Sequence, residues 1–431
     1  MLRIGPRFAR VEPRRRVAAF LRGLLAGLPR TNCWTVAEHA GDGDPRAMQR
    51  MLSETVWDTD GVRADLVGYV VEHLGDPGAV LVVDETGDVK KGTATVGVQR
   101  QYTGTAGRIE NSQVAVYLTY AAPAGYALID RALYLPKSWT SDPDRCAAAG
   151  VPAEVGFATK PALATTMIGA ALDAGVPASW VAGDEVYGAD PKLRAALVGR
   201  RVGYVLAVAK DHRITTGIGP RQAVELAVRL PKRAWQRHSA GRGAKGERFY
   251  DWALVQTVDA AADPEATGCH WLLLRRNRAT GELAFYRAYS PTTVRLAALV
   301  AVAGQRWQIE ESFAGAKELA ALDQHQVRTW TSWQRWTLLA MLAHAFLSIQ
   351  TARAAPTPRP RRSPSRPPAT GSPDLTDPMI ALTRNEIRRL FTATHTRPND
   401  LEHSLNWSHW RRRHQATARA SHYKRRAEAL T

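Results

Sequence analysis

Three acidic residues are spaced so that a fold could bring their carboxylates together. Asp84 closes the apolar run in AVLVVDETG, and Asp184 closes the one in SWVAGDEVYG. Each follows a short segment of strand type and precedes a Gly-containing turn, and in α/β sheets ligands gather outside the carboxyl ends of strands. An aspartate that merely caps its own turn leaves the same local pattern. The third candidate lies in RWQIEESFAGAKE, from Arg306 to Glu318. At about 100° per residue, Arg306, Glu310 and Lys317 fall within about 40° of one another, beside the stripe of Phe313 and Ala320. A carboxylate between two cations there should stay ionised. Glu311 points about 140° from Arg306, away from the packed stripe, and is expected to face solvent. A surface charge ladder would show the same spacing.

Two aspartates from neighbouring strands and a glutamate from a closing helix suit two-metal phosphoryl transfer. Hard carboxylate oxygens hold two Mg²⁺ ions about 4 Å apart, one at the attacking oxygen and one at the leaving oxygen. Sequences of the form GxxxxGK[ST], GxSxG and HExxH do not occur, so nucleotide hydrolysis by a P-loop, acyl transfer and zinc proteolysis receive no support.

The surrounding patterns say what would position these acids. Residues 13–75 carry helical spacing of Leu, Val, Trp and Ala, and TNCWTVAEHAG with the following DGDP turn and helix gives a weak helix-turn-helix signal. From Gly78 the pattern becomes strand-like, with a buried run into Asp84 and two alternating runs, 112–122 and 125–136, joined as a hairpin. A helix over 160–174, a strand ending at Asp184, a helix over 190–198 and a strand over 204–210 complete an α/β layout. Residues 211–291 are rich in β-type runs and read as an insertion before helices over 293–322 and 332–351. The expected domains are therefore a helical N-terminal region, 1–75; a catalytic domain, 76–210 and 292–352; the β-rich insertion, 211–291; a Pro/Arg/Ser-rich linker, 353–373; and a basic C-terminal segment, 374–431.

Charge is concentrated at the ends. Of a net +18, residues 1–30 hold eight Arg against one acid and residues 353–431 hold sixteen Lys or Arg against six acids, leaving the body near neutral. Two basic ends on a neutral body suit a polyanion, most simply nucleic acid. Cys33, Cys146 and Cys269 are odd in number and far apart, which supports neither a disulfide framework nor a zinc site. The longest late apolar run, Trp336 to Gln350, contains His344 and falls short of the roughly 20 residues a bilayer needs. A cytoplasmic protein associated with the nucleoid and not with a membrane is expected.

The segments VVDETGDVKKG, VGVQRQYTGTAGRIENSQVAVYL, FATKP, GDEVYG, RWQIEESFAGAK and HQATARASHYKRR, in this order over nearly the whole chain, resemble an insertion-sequence transposase of the DDE superfamily, closest to IS family seven-zero-one. The resemblance implies an RNase H-like fold with Asp84, Asp184 and Glu310 as catalytic metal ligands for two Mg²⁺ ions, with Mn²⁺ able to substitute. It implies cleavage at transposon ends and strand transfer into target DNA. Its partners would be double-stranded DNA, as terminal inverted repeats and target, and a second protomer at synapsis. Arg306, Glu310 and Lys317 match the Arg, Glu and Lys of the signature on the last catalytic helix, whereas its Tyr position is Ala303 here. The insertion would contact the transposon end, and Trp235, Trp252 and Trp271 are candidates for stacking on an extruded base, with packing in the β layer as the alternative.

Lys90 and Lys91, just past the Asp84 turn, are candidate phosphate contacts, with Arg100 and Arg108 behind them. In the C-terminal segment Arg411, Arg412, Arg413, Lys424, Arg425 and Arg426 form a basic helix expected to lie on DNA. Two further readings use the same residues: a retired transposase that only binds DNA as a regulator, and a nuclease that cuts without joining.

Overall fold

The computed structural model describes residues 1–217, 219–243, 246–258, 268–354, 381–395 and 400–428, with 426 and 427 described in backbone only. The proposed linker, 353–373, lies almost wholly outside these residues. No helix among the described residues is long and apolar enough to cross a membrane.

Four helices open the chain: α1 (Val11–Leu25), α2 (Cys33–His39), α3 (Arg46–Ser53) and α4 (Thr59–Leu74). Asn32 starts α2 by accepting from the backbone N–H groups of Trp34 and Thr35, while Thr35 accepts from the Asn32 N–H. This reciprocal cap satisfies donors that a seven-residue helix could not satisfy internally. The helices do not form a detached module. Phe20 of α1 meets Trp336 edge to face at 5.2 Å, and the buried Arg335 donates to the carbonyls of Met51 and Leu52 and lies over the Trp57 ring.

The sheet follows: β1 (Val80–Val89), β2 (Gln99–Thr103), β3 (Arg108–Ala122), β4 (Gly125–Leu133), then helix α5 (Lys160–Asp173), β5 (Trp180–Gly183), α6 (Pro191–Gly199) and β6 (Gly203–Val208). Val80–Val83 are buried because β1 is central: it pairs antiparallel with β3 and parallel with β5, which in turn pairs parallel with β6. The order β4-β3-β1-β5-β6, antiparallel on one side of β1 and parallel on the other, with helices on both faces, is the RNase H-like arrangement. The strand β2 leaves no recognisable run in the sequence, since its Arg and Gln residues alternate with few apolar positions.

Residues 211–291 supply β7 (Gln236–Gly243), β8 (Gly246–Gln256), β9 (Cys269–Arg276) and β10 (Leu283–Ser290). They are β-rich as expected, but they do not stand apart. Main-chain pairing of β10 with β6 (Ala207 opposite Tyr286) continues the central sheet to ten strands in the order β2-β3-β1-β5-β6-β10-β9-β8-β7, with β4 paired to β3.

The chain closes with α7 (Leu296–Gln305), α8 (Trp307–Ala320), α9 (Trp330–Arg353), α10 (Arg384–His395) and α11 (Leu401–Glu428). The single helix expected over 293–322 is thus two, divided at Arg306. The cause is contact with β7 and β8: a Cβ on Gly304 would lie 2.2 Å from the Ala240 carbonyl oxygen, and Arg248 draws off the Gly304 carbonyl with a 3.2 Å hydrogen bond. A carbonyl engaged from outside weakens the helical ladder one turn on.

Candidate active site

Register puts the two aspartates side by side. Val83 of β1 is the partner of Gly183 of β5, so Asp84 and Asp184 are the next residues where the parallel pairing ends. Asp184 follows the last residue of β5, whereas the turn expected after Asp84 is absent: β1 continues through Asp84 to Val89, paired with β3. Gly183 permits this approach, because a Cβ there would meet Val83, Leu206 and Tyr187 at 3.1–3.2 Å. Asp84 Oδ1 accepts from the Glu85 N–H at 2.8 Å, and Asp184 Oδ1 accepts from the Val186 N–H at 2.9 Å, capping the short helix that follows. Asp184 therefore holds the turn that follows it, while Asp84 accepts from its neighbour within β1 and turns Oδ2 towards Arg306. Burial, then the neighbouring charges of Asp184 and Glu85, push the Asp84 carboxyl up to about 7. Burial and Glu85 raise Asp184 as well. Crowded, desolvated carboxylates of this kind call for a cation.

Arg306 supplies one in this structure. Its guanidinium lies 3.8 Å from Asp84 Oδ2 and donates to Glu310 Oε1 at 2.8 Å, spanning the first acid and the third. Because α8 begins immediately after Arg306, the helix break places both side chains over the strand ends. Among the described residues no three His, Cys, Asp or Glu side chains converge at metal-holding distance. The donor set still fits a hard divalent ion: Asp84 and Asp184 oxygens, with Glu310 held one guanidinium away. Lys317 donates to Thr86 Oγ1 at 2.7 Å and reaches Thr105 Oγ1 at 3.3 Å, on the same face of β1.

On the opposite face, Glu85 accepts from Lys160 Nζ at 2.6 Å and from the Tyr187 hydroxyl at 2.7 Å. Sequence reasoning assigns these three no role. The period-2 geometry of β1 is the available signal, because it turns Glu85 to the face where FATKP and GDEVYG must pack.

Several other candidates are placed differently from expectation. Lys90 does not face solvent: only 11% of its side chain is exposed, and it donates to the His325 carbonyl at 3.0 Å while lying 3.8 Å from Asp88. Asp88 also contacts His325 Nε2 at 3.0 Å, and that histidine is fully buried. Lys90 is therefore the cation of an internal pair, and Lys91 is the exposed one. Truncating Asp88 to Ala should cost about 3–5 kcal/mol by leaving a buried ammonium unpaired, whereas Lys91→Ala should stay within about 0.5 kcal/mol. Urea unfolding curves compare the two directly.

Glu311 is not solvent-facing. It is half-buried and accepts a hydrogen bond from the Tyr126 hydroxyl of β4. Trp271 is 9% exposed within the sheet, too enclosed to receive a base, and Trp235 is stacked under Arg276 at 4.3 Å. Trp252 is buried too, but it borders a cavity of about 860 Å³ that runs from Asp184 and Arg306 to Arg248, Tyr250 and Tyr286. Its Nε1 has no hydrogen-bond partner among the described residues. Ala303 lies in the wall of the same cavity.

In the C-terminal segment Arg411 is committed internally, to Glu38 at 2.6 Å. Arg412, Arg413, Lys424 and Arg425 are exposed, and the Arg426 side chain lies outside the described residues. Arg100 and Arg108 are exposed on the β2–β3 hairpin, Arg108 paired with Glu110.

The sheet order and the adjacent aspartates where β1 and β5 part define an RNase H-like α/β protein. The chain belongs to the DDE superfamily endonucleases, whose family model matches residues 4–272, a span that holds Asp84 and Asp184 and ends before Glu310. A probable transposase for insertion sequence element IS701 from Microchaete diplosiphon is 26% identical over 206 residues, 47% of this chain and 50% of that protein. The chain thus spans about half the length of this curated relative. Among solved structures, the NurA nuclease from Sulfolobus solfataricus aligns at 7% identity over 62% of this chain and 86% of that one. Its TM-score of 0.28 is too low to establish a common fold, so the architecture rests on strand order and register.

Proposed function

We propose that the protein is a DNA transposase that cleaves the phosphodiester backbone at the ends of its element and joins the freed 3′-hydroxyl to target DNA. The observation that carries this reading is the placement of Asp84 and Asp184 side by side where the parallel pairing of β1 and β5 ends, with Glu310 tied to Asp84 through Arg306. The family match and the IS701 relative support the same class of chemistry. Asp84, Asp184 and Glu310 would hold Mg²⁺, which when bound would activate the attacking oxygen and stabilise the leaving one. Arg306, displaced from the carboxylates, would face the scissile phosphate. Lys317, held by Thr86 and Thr105, would carry positive charge to the same edge. Double-stranded DNA is the partner, as inverted repeats and target, gripped by two protomers. A strand-transfer assay with pre-cut ends separates this reading from a nuclease that cuts without joining, for which the product would be cleaved DNA alone.

The raised Asp84 carboxyl gives a test independent of activity. Its folded pKa, about 7, lies above the ordinary 3.8, so folded protein binds this proton more tightly than unfolded protein does. The stabilisation is complete below about pH 4 and is lost as pH rises through about 7. In EDTA at pH 8, Asp84→Asn should therefore melt above wild type, by a few kcal/mol at most since each pKa step is about 1.4 kcal/mol. Mg²⁺ should raise the wild-type Tm and leave that of Asp84→Asn unchanged. Equal Mg²⁺ responses in a melting assay would place the ion elsewhere.

A further inference from the structure

We infer that α10 is a brace for the catalytic helix α8, with Arg384, Tyr126 and Arg388 as positioning residues for Glu310. The inference rests on the reading of Glu310 as the third acid. Consecutive helical residues diverge by about 100°, so Glu310 can look at the strand ends only while Glu311 looks at β4. There the Tyr126 hydroxyl donates to Glu311 and accepts from Arg384 Nη2, and the Arg384 guanidinium lies 4.5 Å over the Tyr126 ring. A carboxylate on α8 and a cation on α10 are thus bridged through one phenol. Burial pushes that phenol up to about 12, so it stays a neutral donor at working pH.

The other side of Arg384 is fixed as well. Its Nη1 lies 3.2 Å from His344 Nε2 of α9. Burial, then the Arg384 charge, lowers this histidine to about 3, leaving the neutral ring as acceptor. Gly315, one turn beyond Glu311, is what admits the guanidinium: a Cβ there would lie 3.1 Å from His344 Nε2 and 3.5 Å from Arg384 Nη1. One turn along α10, Arg388 Nη1 donates at 3.1 Å to the Glu318 carbonyl in the last turn of α8, where helical carbonyls lack internal partners. The two arginines, four apart on one face of α10, therefore hold α8 near its start and at its end. The body in turn holds α10: Phe391 packs edge to face on Phe346 at 5.5 Å, and Thr392 donates to the Leu25 carbonyl at 3.1 Å. Releasing Arg384 frees α8 to rotate, and rotation moves Glu310 off the strand ends.

The test uses full-length protein and duplex DNA carrying the sequences that flank its coding region. Single-turnover cleavage at saturating DNA and DNA Kd are measured for Arg384→Met, Tyr126→Phe, Arg384→Lys, Glu311→Gln, Glu311→Gln/Arg384→Met and, as control, Glu310→Gln. Since misplacement by about 1 Å can cost about a hundredfold, Arg384→Met and Tyr126→Phe should slow cleavage by about tenfold or more, with Kd within about threefold of wild type. Arg384→Lys should recover part of the rate, and the double variant should be no slower than the slower single variant. Tyr126→Phe removes only the bridging hydroxyl, so it decides the matter if Arg384→Met fails to fold. Wild-type rates in both, or a rate loss matched by an equal loss of Kd, with Glu310→Gln dead, would overturn the brace and leave the site standing. A fully active Glu310→Gln would instead overturn the site reading itself.

Discussion

Asp84→Asn, Asp184→Asn and Glu310→Gln should each slow Mg²⁺-dependent cleavage of DNA carrying the element's ends by about a thousandfold or more, with DNA binding nearly intact. Loss of a metal ligand removes charge stabilisation that exists only in the transition state, and several kcal/mol of barrier correspond to that factor. Their shared partner is Arg306, whose side chain is 29% exposed and keeps solvent and the remaining acids when one is neutralised. Asp84 and Asp184 accept from backbone N–H groups, which Asn can still do through its amide oxygen, and among the described residues the Glu310 carboxylate hydrogen-bonds Arg306. Folding should therefore survive while chemistry does not. Single-turnover cleavage and a filter-binding Kd on the same preparations check both halves, and a variant with wild-type cleavage would remove that residue from the site.

Replacing Arg412, Arg413, Lys424 and Arg425 together by Ser should weaken DNA binding strongly and flatten its salt dependence. All four side chains are exposed on α11. Every phosphate that a cation no longer neutralises should change the slope of log K against log salt by about 0.9 on duplex DNA, so four such phosphates would change it by about 3 to 4. Arg411 is left in place because it pairs with Glu38, and α11 remains docked through Trp407, which is fully buried and donates to the Asp42 carbonyl at 2.6 Å. An unchanged slope would mean that this helix does not lie on DNA.

Asp184 is legible in the sequence because a buried parallel strand must be an unbroken apolar run, so the first acid after it marks the crevice. Asp84 has the same signature, but β1 runs on through it to Val89, because pairing with β3 continues after β5 has ended. Glu310 is legible by helical phase alone, and the break at Arg306 leaves that phase intact because Arg306 itself keeps helical torsions. What covers Glu311 is not legible. Phase gives its direction away from the site, but Tyr126 lies 185 residues from Glu311, and Arg384 lies 258 residues from Tyr126. Lys90 misleads for a related reason: a lysine after a turn reads as exposed, and only the tertiary fold brings His325 over Lys90 and its neighbour Asp88. The β-rich span 211–291 announces its strands through alternation, but edge pairing of β10 on β6 uses main-chain groups that leave no pattern in side chains. Likewise α2, which carries the helix-turn-helix signal, is covered by α11 through Trp34 against Trp410 at 4.8 Å, while α3 keeps Arg46, Gln49 and Arg50 exposed.

Fe²⁺ used in place of Mg²⁺, with ascorbate and peroxide, cuts the polypeptide beside the bound ion, and mapping those cuts locates the metal without any knowledge of the DNA sequence. If Asp84, Asp184 and Glu310 hold the ion, wild-type protein should be cut near residues 84, 184 and 310, and Asp84→Asn should lose all three cuts together. Cuts that persist in Asp84→Asn, or a pattern that omits residue 310, would contradict the site described here.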